Sequence, residues 1–388
     1  MTGRIIPFAK PHFADEDLSE IISGLREVLQ SGWLTSGPNV QKLEEEFARF
    51  VGTSCAVSLN SCTAALHAIL MALGVKNGDE VIVPTNTFVA TANAALYVGA
   101  KPVFADSDSV TFNISAEEVQ KRITERTKAI IVVHLGGNPC DMKEIGELAE
   151  DHGIALVEDC AHAHGATYKG VRCGNLSAAG AFSFYPTKVM TTAEGGMVTT
   201  NQKEIAGKIK TIRNCGRAGY GPLEIAELGY NYRLSEIHAV IGLSQFKHLE
   251  EFIKQRNLIA GAYDEGLSKI GWMRPQEVRK GNFCSYYAYI VKLTGEAPVS
   301  RDELVKVLKD DGVMTSILYH PVHRQPLYLN YFGGRPPELP VAEDLGRTSL
   351  ALPMYYGMTR DDVMYVVESL TRAADEAQEV KVAGVTYA

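Results

Sequence analysis

The runs AIIVVHL (129–135) and IALVED (154–159) decide the fold. Each is apolar at consecutive positions, without the in-and-out alternation of a strand that has one wet face. Continuous Val/Ile-rich runs of this kind belong to strands covered by helices on both sides. Working outward, VIVP (81–84), PVFAD (102–106), GAFSF (180–184) and MVTT (197–200) repeat the pattern, with longer helical patterns between them. Strands alternating with helices predict an α/β architecture around a mostly parallel sheet. After a long helical stretch from about 234 to 268 the pattern changes. YYAYIVKLT (286–294) reads as a strand, SRDELVKVLKD (300–310) as a helix, SILYH (316–320) as a strand and RDDVMYVVESLTRA (360–373) as a closing helix. The expected organisation is an extended arm over 1–14, carrying Pro7 and Pro11, a large domain over 15–249 and a smaller α+β domain over 250–388.

Composition narrows the function. The 388 residues hold 38 Lys plus Arg against 46 Asp plus Glu, a formal charge of −8. That balance disfavours a general nucleic-acid surface, which depends on basic side chains displacing counterions from phosphates. At 46% hydrophobic and 22% charged residues the chain has the make-up of a globular protein with ample core. No run approaches the roughly 20 apolar residues of a membrane span, and the N-terminus lacks the apolar stretch of a signal peptide. A cytoplasmic protein is expected. Seven scattered cysteines without a CxxC pair read as reduced thiols. His162 and His164 in HAHG lack further ligands at metal spacing, so no metal is expected. There is no fixed-period repeat.

Three segments carry chemistry. In SLNSCTAALHAILMALG (58–74), Leu66, Ile69, Leu70 and Leu73 recur at helical spacing, Asn60 or Ser61 can cap the start and Gly74 ends the helix. A helix N-terminus offers unpaired N–H groups and partial positive charge, which suits a phosphate, although on this segment alone ordinary capping is the commoner use of such hydroxyls. No GxGxxG or Walker pattern is present, against a dinucleotide or nucleoside-triphosphate site. In IALVEDCAHAHG (154–165), an apolar strand ends in Glu158 and Asp159, at the carboxyl end where open α/β sheets place ligands. A buried acid there needs a partner, and a helix cap or salt bridge is the alternative use. In GAFSFYPTKVMTTAEGGMVTT (180–200), a strand delivers Ser183, a Tyr-Pro-Thr turn leads to Lys188, and Glu194-Gly195-Gly196 opens the next strand. An amine able to form an imine, a carboxylate able to hold a protonated ring nitrogen and a phosphate cradle are together what pyridoxal 5′-phosphate requires.

At these residues the chain resembles the DegT/DnrJ/EryC1/StrS family of sugar aminotransferases. SFYPTKVMTTAEGG looks like that family's SFxxTKxxxxGEGG signature. The likeness extends through SGWLTSGPNVQKLEEEF, GDEVIVPTNTFVATANA, VEDCAHAHGATYKG, GYNYRLSEIHA, ILYHPVHRQPLY and SLALPMYYGMT, in order along nearly the whole chain. The resemblance implies the type I pyridoxal-phosphate fold, with a mostly parallel seven-stranded sheet between helices and a smaller C-terminal α+β domain. It implies Lys188 as the internal aldimine lysine, Asp159 on the pyridine nitrogen and His162 near the cofactor's 3-hydroxyl. Thr63, the backbone of Ala64, and Ser183 are implied at the phosphate, and Phe88 stacked on the ring. Asn231 is implied to reach the phosphate of a neighbouring subunit, which makes the active site that of a homodimer. Trp33, Glu194, Arg233, Tyr319, His320 and His323 are candidates for the substrate; for His320 and His323 a packed loop, and for Arg233 an anchor of the turn bearing Asn231, are the alternatives.

The implied activity is transfer of an amino group from an amino acid, L-glutamate, through pyridoxamine phosphate to a keto-sugar acceptor, foremost a nucleotide-linked 4-keto or 3-keto deoxysugar. A keto-sugar acid or keto-cyclitol is the alternative acceptor. The dehydratase branch usually carries His in place of Lys188, and a non-catalytic homologue would be expected to lack Lys188 or Asp159. Two departures from the pattern stand out: Ala193 where Gly is usual, and Gly136 in HLGGNPCDM where Tyr is commoner, expected at the active-site edge of a strand.

Overall fold

The computed structural model describes residues 4–218 and 224–382. Its strands are β1 (Cys55–Leu59), β2 (Glu80–Pro84), β3 (Lys101–Ala105), β4 (Thr127–Val133), β5 (Ala155–Asp159), the short pair β6 (Thr167–Tyr168) and β7 (Val171–Arg172), β8 (Ala179–Ser183), β9 (Gly196–Thr200), β10 (Met273–Pro275), β11 (Tyr289–Leu293) and β12 (Ser349–Leu352). Seven of them form one sheet in the order β1-β9-β8-β5-β4-β2-β3. β3, β2, β4, β5 and β8 run parallel. β9 is antiparallel to both β8 and β1, because the short link from Ser183 to Gly196 cannot carry a covering helix back across the sheet.

The continuous apolar runs have the reason given by the sequence. Ile82, Ile130 and Val132 join the core under helices Ala116–Arg122 and Met142–Asp151. Their neighbours Val81, Val83, Ala129 and Ile131 join the core under helices Cys62–Ala72, Val89–Tyr97 and Lys203–Arg213. Both faces are therefore dry, and each fully buried aliphatic contributes about 1.5–3 kcal/mol. Sequence analysis did not single out β1. Its apolar CAVSL sits one turn after the left-handed Gly52 that ends helix Pro38–Val51 (φ 87°), a usable signal. The β6–β7 turn places Lys169 and Gly170 at φ 48° and 87°, the two positive angles of a tight hairpin turn.

β10, β11 and β12 form a second, antiparallel sheet, packed with helices Leu249–Leu267, Arg301–Asp310 and Arg360–Val382 around Tyr263, Tyr289, Leu304 and Leu370. Two expectations are corrected here. The helical stretch 234–268 is two helices, Glu236–Lys247 and Leu249–Leu267, meeting at His248. The run SILYH is not a strand: only Ser316 bridges to Ala351, and the third strand is Ser349–Leu352. Beyond Ser316 the backbone finds its partners on the large sheet's loops, Tyr319 N–H donating to Asn86 Oδ1 (2.9 Å) and Val322 N–H to the Thr85 carbonyl (2.9 Å). The N-terminal arm docks on this second unit, Ile6 being paired with Gly312 and Met314 through its backbone and nearly fully buried.

Candidate active site

The site lies at the carboxyl ends of the parallel strands, where loops leave the sheet and helix N-termini point back toward it. β1 runs into Ser61, which caps helix Cys62–Ala72 by accepting the Ala64 N–H (3.1 Å). That bond engages Ala64, so among the described residues the amides left without a partner at this end are those of Cys62 and Thr63. Gly196, opening β9, presses on the same corner: a Cβ there would lie 2.4 Å from the Ser61 carbonyl carbon and 2.6 Å from Cys62 N. Only glycine admits the strand so close, and the result is a small concave cradle of free N–H groups.

Asp159 ends β5. It is almost fully buried, with Oδ2 accepting from Thr91 Oγ1 (2.8 Å) and Oδ1 from Ala161 N–H (3.1 Å). Burial lifts its pKa above the ordinary carboxylate value, while Thr91, Ala161 and the nearby Lys188 pull it down. Neighbouring Glu158 points to the opposite face of the sheet. There it accepts from Gly174 N–H (2.7 Å), Leu176 N–H (2.9 Å), Ser177 Oγ (2.9 Å) and His134 Nε2 (3.1 Å). His134, Glu158 and Cys160 form a group whose ligand atoms lie within 4.8 Å of one another. The lone pairs are spent, however: His134 Nδ1 accepts the Cys140 N–H (3.0 Å) and Glu158 already has four donors.

Lys188 follows β8 on a turn closed by its own N–H to the Tyr185 carbonyl (3.0 Å). Its Nζ lies 4.4 Å from the centroid of the Tyr287 ring, a cation–π arrangement, and the Tyr287 hydroxyl meets Thr187 Oγ1 at 3.2 Å. The other end of the loop is held by Ala193 at φ 68°, the departure noted in the signature and a conformation glycine adopts more cheaply. His162 stacks on Tyr287 with centroids 4.0 Å apart, and its Nε2 meets the Tyr319 hydroxyl at 3.1 Å. Burial, then Lys188 and His164, hold the His162 ring well below the usual imidazole pKa. His164 packs edge-on to Phe182, and burial pushes it down to about 3.

These groups enclose a cavity of ≈410 Å³, in the range of small-molecule sites. Of the residues expected from sequence, Thr63, Phe88, Asp159, His162, Ser183, Lys188, Glu194 and Tyr319 line it. Tyr287, Ala161, Thr187 and Cys62 also line it and were not singled out. Others lie elsewhere. Trp33 is exposed, its indole N–H donating to the Thr35 carbonyl (2.9 Å), and His320 is exposed outside the lining. His323 is fully buried between Thr85 Oγ1 (2.7 Å) and Glu343 (3.2 Å), the packed-loop alternative. Arg233 donates to Asn214 Oδ1 (3.0 Å), and Asn214 bridges to the exposed Asn231, so Arg233 anchors the turn carrying that residue. Gly136 follows β4 closely and its N–H reaches His162 Nδ1 (3.3 Å), while at φ 69° its Cα faces the second sheet, where a Cβ would meet Gln276 and Ile290 at 2.9 and 3.0 Å.

The residues fit pyridoxal 5′-phosphate in three independent ways: unpaired amides in a cradle closed by Gly196, a buried carboxylate without a cationic bond partner, and a lysine in the same cavity. Among the described residues, no helix is long and apolar enough to cross a membrane.

Comparison with known proteins agrees. The sequence profile of the DegT/DnrJ/EryC1/StrS aminotransferase family matches residues 15–371. The spore coat polysaccharide biosynthesis protein SpsC of Bacillus subtilis (strain 168) is 39% identical over 380 residues, covering 95% of this chain and 97% of SpsC. A GDP-perosamine synthase of Escherichia coli O157:H7 is 36% identical over 368 residues, covering 95% and 98%. Among solved structures, Helicobacter pylori PseC, an aminotransferase involved in the biosynthesis of pseudoaminic acid, superposes with a TM-score of 0.90 at 29% identity, covering 96% of this chain and 100% of PseC. With the profile spanning its length and the sheet, cradle and lysine in one cavity, the chain belongs to the DegT/DnrJ/EryC1/StrS aminotransferase family, the pyridoxal 5′-phosphate-dependent sugar aminotransferases.

Proposed function

We propose that this transaminase moves the amino group of L-glutamate to a nucleotide-linked 4-keto or 3-keto deoxysugar, with Lys188 and Asp159 as its catalytic side chains. The observation that carries the reading is the convergence of Lys188, Asp159 and the Cys62–Thr63 amides on one cavity. A nucleotide-linked acceptor is supported by the likeness to two GDP-perosamine synthases, 36% and 37% identical.

When bound, pyridoxal 5′-phosphate supplies an electron sink and stores the amino group between the two half-reactions. The chain does the rest. Lys188 Nζ is the amine that would hold the cofactor and, when free, would move the substrate's α-proton as general base and then acid. Asp159, whose pKa burial raises while Thr91, Ala161 and Lys188 pull it down, would hold a protonated ring nitrogen, the form that draws electrons most strongly. The N-terminal amides of helix Cys62–Ala72 and the Ser183 hydroxyl hold phosphate oxygens through charge-assisted hydrogen bonds. Phe88 would cover one side of the ring, and its 58% exposure in a single chain leaves an apolar face for that purpose. Ala161, small and lining the same cavity, leaves room on the other. His162 Nε2 faces the Tyr319 hydroxyl at 3.1 Å. The exposed Asn231 would complete the phosphate site of a second subunit, so the working enzyme is a homodimer.

The test is the absorbance spectrum of the purified protein before and after added L-glutamate. A visible band that converts to the pyridoxamine form supports cofactor, lysine and donor together, and a nucleotide keto-sugar is expected to restore it. Protein that stays colourless after added pyridoxal phosphate overturns the site assignment. Lys188→Ala is expected to keep the fold, bind pyridoxamine phosphate and lose all turnover with glutamate; retained turnover removes Lys188 from the mechanism.

A further inference from the structure

We propose that Tyr319 is a hydrogen-bond donor to an oxygen of the bound substrate, held in that role by His162, whose ring the Gly136 N–H fixes as the Nε2–H tautomer. The inference rests on the aminotransferase reading of the cavity but not on the identity of the sugar.

The direction of the chain follows from what each group can donate. The Gly136 backbone N–H points at His162 Nδ1 at 3.3 Å. A main-chain N–H cannot accept, so a proton on Nδ1 would set two donors against each other, and the single proton of the neutral ring belongs on Nε2. Gly136 makes this contact from a left-handed backbone at φ 69°. The Ser285 hydroxyl donates to the His162 carbonyl (3.2 Å), and Tyr287 stacks on the ring at 4.0 Å with planes 19° apart. Position, plane and tautomer are thus set by three separate contacts. Protonating the ring would need Nδ1 to surrender its acceptor role beside the positive charge of Lys188. Burial, Lys188 and His164 all oppose that, and no carboxylate among the described residues contacts the imidazole.

Nε2–H faces the Tyr319 hydroxyl at 3.1 Å. Tyr319 Oη must therefore accept from His162, which frees its own proton. No other side-chain or backbone acceptor takes that proton among the described residues, and Tyr319 lines the cavity. Its place is fixed from behind, through its backbone N–H on Asn86 Oδ1 (2.9 Å) and its ring beside Phe88. Burial, Tyr287 and Asp159 all raise the phenol pKa, so the hydroxyl keeps its proton. The cavity therefore contains a neutral donor suited to a carboxylate or a sugar oxygen. His162 is a positioning residue, unable to act as a base through either nitrogen.

The experiment has two arms. Solid-state 15N spectra of histidine-labelled protein without cofactor, with His162→Gln supplying the assignment by difference, are expected to show Nε2 protonated and Nδ1 not, unchanged between about pH 5 and pH 8, where an unhindered histidine titrates. In the loaded enzyme, Tyr319→Phe is expected to raise the KM of either the amino acid or the keto-sugar about tenfold with little change in kcat, the size of one neutral hydrogen bond. Which KM moves identifies whether the acceptor oxygen is a carboxylate or a sugar oxygen. The KM defect is expected to be smaller in His162→Gln, whose amide nitrogen reaches as far as Nε2, than in His162→Asn, whose oxygen matches Nδ1 but whose donor falls short. A protonated Nδ1, a titrating ring, or equal defects in the Gln and Asn variants would each overturn the proposal. So would a Tyr319→Phe enzyme with both KM values unchanged and only the pH dependence of its visible band shifted, which would direct the proton to the cofactor. A protein that takes up no pyridoxal phosphate sinks the functional reading instead and leaves the spectral arm standing.

Discussion

Replacing Gly196 by alanine tests the phosphate cradle at its tightest point. The added Cβ would sit 2.4, 2.5 and 2.6 Å from Ser61 C, Ser61 O and Cys62 N, all of them backbone atoms. Restoring ordinary contact requires β9 and the start of helix Cys62–Ala72 to separate by about 1 Å, and overpacking of this kind costs about 1–3 kcal/mol. The same movement pulls the Cys62 and Thr63 amides away from any phosphate. Hydrogen bonds to a charged group are worth about 1.5–3 kcal/mol each, so losing even one weakens pyridoxal phosphate binding by about 10- to 100-fold, and losing both by at least about 100-fold. The assay is equilibrium titration of cofactor-free protein followed by absorbance, with circular dichroism to establish that the fold persists. Gly207→Ala is the control. It lies within helix Lys203–Arg213, nothing is within 4 Å of its Cβ position, and it is expected to gain about 0.5–1 kcal/mol without touching affinity. A Gly196→Ala protein with wild-type cofactor affinity refutes the cradle.

Ala193→Gly is expected to stabilise the protein by about 0.5–1 kcal/mol, because Ala193 sits at φ 68°; a lower denaturation midpoint would contradict the strain. Glu80 is held down to about 2. Burial pushes it up, but Thr124 (2.7 Å), Arg126 (2.9 Å) and Lys101 (3.2 Å) outweigh burial. A depressed carboxylate stabilises above its unfolded pKa and loses that stabilisation as pH falls through the folded value. Glu80→Gln is therefore expected to cost about 2 kcal/mol at neutral pH, discounted for its solvent-screened partners, and to converge with wild type between about pH 4 and pH 2; a pH-independent difference would remove the ion pairs from the account. Asp159 runs the other way. Its raised pKa makes the cofactor-free protein less stable as pH rises through that value, so Asp159→Asn is expected to flatten this limb while cutting cofactor-induced stabilisation; a loss of stability in the cofactor-free state alone would show a structural role.

The positions of Lys188 and Asp159 were legible from local patterns: Asp159 is the last residue of the buried run that becomes β5, and Lys188 follows the turn that leaves β8. Tyr287 was not, although it makes the closest ring contact to Lys188. In YYAYIVKLT an alternating strand would put Tyr287 and Tyr289 on one face. The strand begins only at Tyr289, and Tyr286 turns the chain with φ 49°, so Tyr287 enters the cavity while Tyr289 packs in the core of the second sheet. SILYH failed as a strand for a related reason. The Tyr319 amide is claimed by Asn86 and, just past the run, the Val322 amide by Thr85, each more than two hundred residues away in sequence, and no local pattern registers such partners.

The adjacent acids Glu158 and Asp159 show how sheet geometry divides work that composition leaves open. A strand turns successive side chains to opposite faces, so one of the pair had to face the cavity and the other the covering layer. The register of β5 on β8, with Asp159 opposite Ala181, places Asp159 beside the strand that leads to Lys188. Glu158 is left to satisfy the Gly174 and Leu176 amides, where an unpaired carboxylate would be costly. The consequence is a division of roles. Glu158 has four donors and no capacity for a ligand, whereas Asp159 has two and stays short of a cation. The under-satisfied acid is the one aimed at the cavity, and that asymmetry, more than burial or proximity to lysine, is what favours Asp159 over Glu158 in the proposed role.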